Sequence, residues 1–245
     1  MRENRGVEIM DEHHEDIGQA LERRRLLWMA VALIIVQVIV ACVAYTFVPA
    51  RIPIHWNALG QVDHYGSKLE ALAFPPTISL ILLVLVRGLI ALGPYLAQEN
   101  KRIATRFTDY VIVAIIVLMQ LIQLISIAVS LNAPINVLSV ISIAVSLLFI
   151  GLGNYMGKLR RNFYAGIRTP WTIADDTVWE RTHRLGGWLF VAAGLIGLIT
   201  SFIPLPMIKL FGLLVPILLV AVITVVYSYV EYQRVVGHPE NSRPL

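Results

Sequence analysis

Six apolar blocks alternate with short polar breaks along the chain: Leu26–Val48, Ala71–Gly93, Tyr110–Leu131, Ile135–Tyr155, Leu185–Ile203 and Met207–Val230. Each is near the ~20 residues that cross a bilayer as a helix. The pattern predicts an all-α, polytopic membrane protein with six transmembrane helices. The breaks divide the chain further. Residues 1–25 form a leader, and 26–93 hold the first helix pair around an exterior polar loop. Residues 94–155 carry the third and fourth spans, 156–184 a cytoplasmic polar loop, 185–230 the last two spans, and 231–245 a tail. Only Asn132–Pro134 separate the third and fourth blocks, which predicts an antiparallel hairpin of helices. The first block is too long for a signal-peptide core and lacks a closing small-residue cleavage site.

Charge placement orients the spans. With the amino terminus inside, cytoplasmic segments hold sixteen Lys and Arg, exterior segments hold Arg51, Lys68 and Lys209, and Arg87 lies within a span. Basic residues concentrate on the cytoplasmic side of membrane proteins, so both termini are cytoplasmic. The net charge of +4 therefore marks orientation and gives no reason to expect direct nucleic-acid binding. Only 15% of residues are charged and 57% are hydrophobic, leaving no room for a separate soluble domain. The single cysteine, Cys42, excludes an intrachain disulfide.

The leader mixes acids with arginines. Val7, Ile9, Met10, Ile17 and Leu21 form a ragged stripe that suits either a surface helix or a solvated tail. His13 and His14 are read as solvated. Arg87 sits roughly 9 Å from the cytoplasmic end of its span, close enough to reach the interface with its guanidinium. Snorkelling is the reading preferred over a functional role. Pro75 and Pro76 predict a kink, tolerated if neighbours take up the freed carbonyl. Gln120, Gln123 and Ser126, with Ser139, Ser142 and Ser146, are read as glue between helices. The alternative is a polar path for a small-solute transporter, or an uncharacterised membrane enzyme. Ala193, Gly187, Gly194 and Gly197 predict close helix contact in the fifth span.

Two polar islands hold the candidate chemistry. In the exterior one, Arg51 to Asn57 is extended by its prolines, and Gly60 supplies a turn with positive φ. Trp56 belongs at the membrane interface, and Asn57, Asp63 and Lys68 are expected to bond backbone. His55, Asp63 and His64 have metal-binding chemistry, but their spacing fits no common closed site. In the cytoplasmic one, Gly166 to Trp171 is expected outside regular helix because Pro170 forces Thr169 to extended geometry. Asp175 or Asp176 should cap a helix that runs from about Thr177 into the fifth span. Along it Glu180 should face His183 and Arg184. Trp171 and Trp179, with Arg160, Arg161 and Arg168, would suit anionic headgroups. Neither island shows a nucleophile–base pair, a phosphate loop or a metal signature. No cofactor is expected, and the chain is read as a non-enzyme.

Arg51-x-Pro-x-His-Trp-Asn-x-x-Gly-x-x-Asp with Lys68 resembles the small membrane domain found near the amino end of SdpI-type proteins. Asn162, Gly166-Ile-Arg-Thr-Pro-Trp-Thr and Val178-Trp-x-x-Thr-His-Arg-x-x-Gly-Gly resemble that family's carboxyl-terminal signature. Order and distance match over roughly residues 26–230. The resemblance implies a multi-pass protein of the bacterial inner membrane that gives immunity to a secreted toxin peptide. It also implies capture of a cytoplasmic repressor protein at the membrane. The bilayer, the peptide and the repressor are the implied partners. The binding residues it points to are His55, Trp56, Asn57, Gly60, Asp63 and Lys68 outside. Inside they are Asn162, Gly166, Arg168, Thr169, Pro170, Trp171, Trp179, Thr182, His183 and Arg184. Two departures stand out: a 25-residue leader, and Ala174-Asp175 where a serine cap is expected.

Overall fold

In the computed structural model, residues 2–92, 101–162 and 165–237 are described, with side chains for 18, 21–91, 105–162 and 165–237. Among the described residues, seven helices and a two-stranded hairpin follow one another. They are α1 (Arg2–Tyr45), β1 (Arg51–Trp56), β2 (Val62–Ser67), α2 (Lys68–Leu92), α3 (Lys101–Ser130), α4 (Val137–Met156), α5 (Pro170–Ala174), α6 (Asp176–Thr200) and α7 (Pro206–Gly237). Six of them are long and apolar enough to span a bilayer. The helices overrun the apolar blocks because polar turns at the interfaces still satisfy their backbone bonds within the helix. The leader backbone is helical and continuous with the first span, so it is neither a separate helix nor a coil. The side chains of His13, His14 and the stripe from Val7 to Ile17 lie outside the described residues.

Helices α1, α2 and α3 pack together, and α4, α6 and α7 form a second group. In the second group α4 and α6 pack most extensively, and at their glycines there is no room for larger residues. A Cβ on Gly187 would come within 2.8 Å of the Gly153 carbonyl oxygen, and one on Gly194 within 2.7 Å of the Ser146 carbonyl oxygen. Small residues let the helices approach closely enough for dispersion to hold them in lipid. Aromatic contacts of Phe107 and Tyr110 with Tyr155 join α3 to α4.

Polar side chains fasten the first group. Pro76 has no N–H for the carbonyl of Leu72, four residues back. Gln123 of α3 donates to that carbonyl oxygen at 3.2 Å and to the Gln37 carbonyl oxygen at 3.1 Å. Gln37 in turn donates to the Ile116 carbonyl oxygen at 3.0 Å. Gln123 therefore joins three helices, as expected of it, whereas Gln120 bonds only Gln123 of its own helix among the described residues and Gln37 was not among the expected contacts. Ser139 donates to the Ser201 carbonyl oxygen and also takes a bond from Lys209.

Arg87 departs from the expectation. Rather than reaching for the headgroups, it pairs with Asp109 at 2.9 Å, and Arg23 holds the second carboxylate oxygen at 3.1 Å. Asp109 is buried, so two cations compensate its desolvation. Beside it, Glu22 accepts from Arg106 at 2.7 Å and from the Tyr110 hydroxyl. This charged girdle ties the cytoplasmic ends of α1, α2 and α3 together.

Candidate functional site

The exterior island is a β-hairpin rather than an irregular loop. β1 and β2 pair antiparallel, from Arg51 opposite Ser67 to Trp56 opposite Val62, with irregular register near His55. Its turn is built by Asn57, whose side-chain oxygen accepts from the backbone of Leu59 at 2.9 Å and Gln61 at 3.0 Å. Gly60 adopts φ 77°, as its position in the turn requires. Ser67 and Glu70 bond each other's backbone N–H groups, a capping box that starts α2. Ile52 is fully buried among Ala44, Val48, Ala71, Leu72 and Ile127, which seats the hairpin on the exterior mouths of three helices.

The hairpin's polar residues point outward. His55 and Asp63 are exposed and joined at 2.6 Å, so Asp63 bonds a side chain and not the backbone. His64 is exposed on its own. Trp56 is half-buried, and its indole nitrogen has no partner among the described residues. Lys68 bonds the Tyr45 carbonyl oxygen at 3.2 Å and lies 5.4 Å over the Tyr45 ring. Among the described residues there is no group of three metal-ligating side chains.

The cytoplasmic island is arranged in the opposite way. His183 is fully buried, with Trp179 stacked on it at 4.0 Å between ring centres. Its Nδ1 lies 2.8 Å from the Trp179 carbonyl oxygen, and its Nε2 accepts the Ile167 N–H at 2.9 Å. A carbonyl can only accept, so Nδ1 carries the proton and the imidazole is neutral. Both ring nitrogens are used, which removes the expected Glu180–His183 pair. Glu180 binds Arg184 at 3.3 Å and approaches Arg160 at 3.9 Å. Gly166 stands against the ring with φ 120°, where a Cβ would meet His183 Nε2 at 2.3 Å. Glycine is therefore required twice, for conformation and for space.

Thr169 is extended, as Pro170 demands, and its hydroxyl caps α5 in a reciprocal bond with Thr172. Pro170 and Trp171 are the first residues of this short helix, contrary to the non-helical reading of that pair. Proline suits the first turn because its missing N–H would have no helical partner there. Thr169 also meets the Ser228 hydroxyl at 3.0 Å, and Trp171 packs edge-on against Tyr229 at 5.1 Å. Both tie the island to α7. Asp175 caps α6 through the Val178 N–H at 2.9 Å. Asn162 accepts the Ala165 N–H at 2.8 Å, and Trp179 donates to the Leu159 carbonyl oxygen at 2.8 Å. Arg181 pairs with buried Glu231 of α7, a carboxylate outside the sequence-based candidates.

The candidates thus separate by burial. Asn162, Thr169, Trp179, Thr182 and His183 are buried, so Trp179 does not lie among headgroups and His183 does not form an outer face. Thr182 has no bonding partner for its hydroxyl among the described residues. Gly166, Arg168, Pro170 and Arg184 are exposed, and Trp171 is half-buried. Arg168 lies between the His183 contact and the Thr169 cap, fixed on both sides in the chain.

Two family models match the chain, and each encloses one island. The SdpI/YfhL protein family matches residues 158–228, and the Domain of unknown function (DUF1648) matches residues 32–80. Immunity protein SdpI of Bacillus subtilis (strain 168) is 28% identical over 214 residues, covering 83% of this chain and 97% of that protein. No solved structure matches the chain.

Proposed function

The chain belongs to the SdpI family of multi-pass bacterial plasma-membrane proteins, and from that premise we propose that it is a binding protein that protects its cell from a secreted toxin peptide. The observation that carries this reading is the contrast in how the two islands dispose their polar groups. His55, Asp63, His64 and Tyr65 are presented to the exterior on a hairpin seated over α1, α2 and α3. Such a surface, mixing aromatic and polar side chains, suits an amphipathic peptide arriving from outside. On the cytoplasmic side, buried Thr169, Thr172 and His183 hold the backbone on either side of the exposed Arg168. An exposed guanidinium on a backbone held in place suits an acidic patch on a protein partner, such as a repressor captured at the membrane. The relative's name is that of an immunity protein, which favours binding over catalysis.

Transmission from one island to the other requires two states of the helices with different affinities at each end. The contacts to α7 through Thr169–Ser228, from the cap of α5, and Arg181–Glu231, from α6, are the physical link on the cytoplasmic side. The test is expression of the full chain in toxin-sensitive cells followed by challenge with the peptide toxin of a family member. Survival is expected, and Asp63→Ala should abolish it while the protein remains in the membrane. Killing at the rate of cells without the protein would overturn the reading.

A further inference from the structure

Between α1 and α2 lies an open apolar groove of about 550 Å³. Ile34, Cys42 and Tyr45 line one wall, and Leu69, Ala73 and Thr77 line the other. We infer that this groove is a binding site for one phospholipid of the outer leaflet, with an acyl chain between the helices and the phosphate at Lys68. The inference is independent of the toxin reading.

Three observations select that occupant. The first is depth. Ile34 to Tyr45 covers about 16 Å along the helix axis at 1.5 Å per residue. That is close to half of a ~30 Å hydrocarbon core, the thickness of a single leaflet. The orientation places this half toward the exterior, since α1 runs outward and α2 runs inward. The second is polarity. The walls are almost wholly hydrocarbon, with Thr77 the exception apart from the Tyr45 hydroxyl and the Cys42 thiol. The volume falls within the ~300–1,000 Å³ of ordinary ligand pockets, so the groove is more than a shallow crease. The third is charge. Tyr45 ends the groove, and the Lys68 ammonium lies over its ring and on its carbonyl oxygen. One acceptor leaves donors of the ammonium available, because it carries three. A cation held at headgroup depth above an acyl-sized groove matches a lipid phosphate. Glu70 is the carboxylate nearby in sequence, and it is engaged in capping α2 through Ser67.

Cys42 is the single cysteine of the chain and is exposed into the groove, so the native protein carries its own reporter. The full-length protein in a lipid-free detergent is treated with N-ethylmaleimide, with and without added phosphatidylglycerol. Lipid is expected to slow alkylation at least tenfold. Native mass spectrometry is expected to show one retained phosphatidylglycerol per chain. Ala73→Trp, which fills the groove, should remove the retained lipid. Lys68→Gln should weaken it about fivefold, the effect of one basic residue at a lipid surface. Equal alkylation rates with and without lipid would overturn the proposal without recourse to any variant. So would a cationic amphipathic peptide that protects Cys42 when phospholipid does not, since the groove would then belong to a peptide.

Discussion

The exterior hairpin and the cytoplasmic island are both polar breaks between spans, yet they use their polar residues oppositely. Outside, the backbone is satisfied by strand pairing and by the Asn57 turn, which releases His55, Asp63 and His64 to the surface. Inside, no strand or long helix serves the described residues between 157 and 169, so side chains satisfy the backbone instead. Asn162, Thr172 and His183 each bond main-chain groups of that segment. A buried backbone group without a partner is costly, and this need accounts for the dense polar signature. The lesson is that a detailed polar motif need not be a contact surface. Most of the second motif builds the platform, and Arg168, Pro170 and Arg184 are its exposed minority.

If that contrast is right, perturbing the platform should have the largest effects. Gly166→Ala forces a methyl group onto His183 and a non-glycine residue to φ 120°. Thermal unfolding in detergent should show a loss of about 2–3 kcal/mol or outright misfolding. A wild-type melting curve would place the knot elsewhere. Asp109→Asn comes next. It leaves Arg23 and Arg87 facing each other without their shared anion, and because both arginines are about a third exposed the expected loss is about 2 kcal/mol. Removal of Gln123 by Gln123→Leu strands the Leu72 carbonyl beneath Pro76 and should cost about 1 kcal/mol. The same variant sharpens the functional comparison, since solute flux in liposomes that depended on Gln123 would favour a transport path. The smallest stability effect belongs to the hairpin. Asp63→Ala breaks an exposed pair and should change stability by less than about 0.5 kcal/mol while removing protection from the toxin.

How much of this was legible in the sequence follows from the range of each interaction. The six spans were readable because hydrocarbon thickness imposes a length on each block. The Gly60 turn, the extended Thr169 and the Asp175 cap were readable because they depend on a few neighbouring residues. Strand pairing of 51–56 with 62–67 was not, since neither strand alternates cleanly and Pro53 obscures the first. Asp109 was missed for a related reason. It sits one residue before the third apolar block, and its partners lie 86 and 22 positions away. Arg87 was therefore read without its counterion. The cytoplasmic motif was found, but the inward turn of His183, Trp179 and Thr182 depends on which face of α6 meets α4 and α7. Side-chain types alone do not reveal that face.

The central claim is that two exposed patches face opposite sides of the membrane across a six-helix scaffold. Single-cysteine variants Asp63→Cys and Arg168→Cys, each in a Cys42→Ser background, test it most directly when intact cells are treated with a membrane-impermeant maleimide. Position 63 is expected to react in intact cells, and position 168 only after the membrane is permeabilised. Reaction at 168 from outside, with protection at 63, would contradict the account.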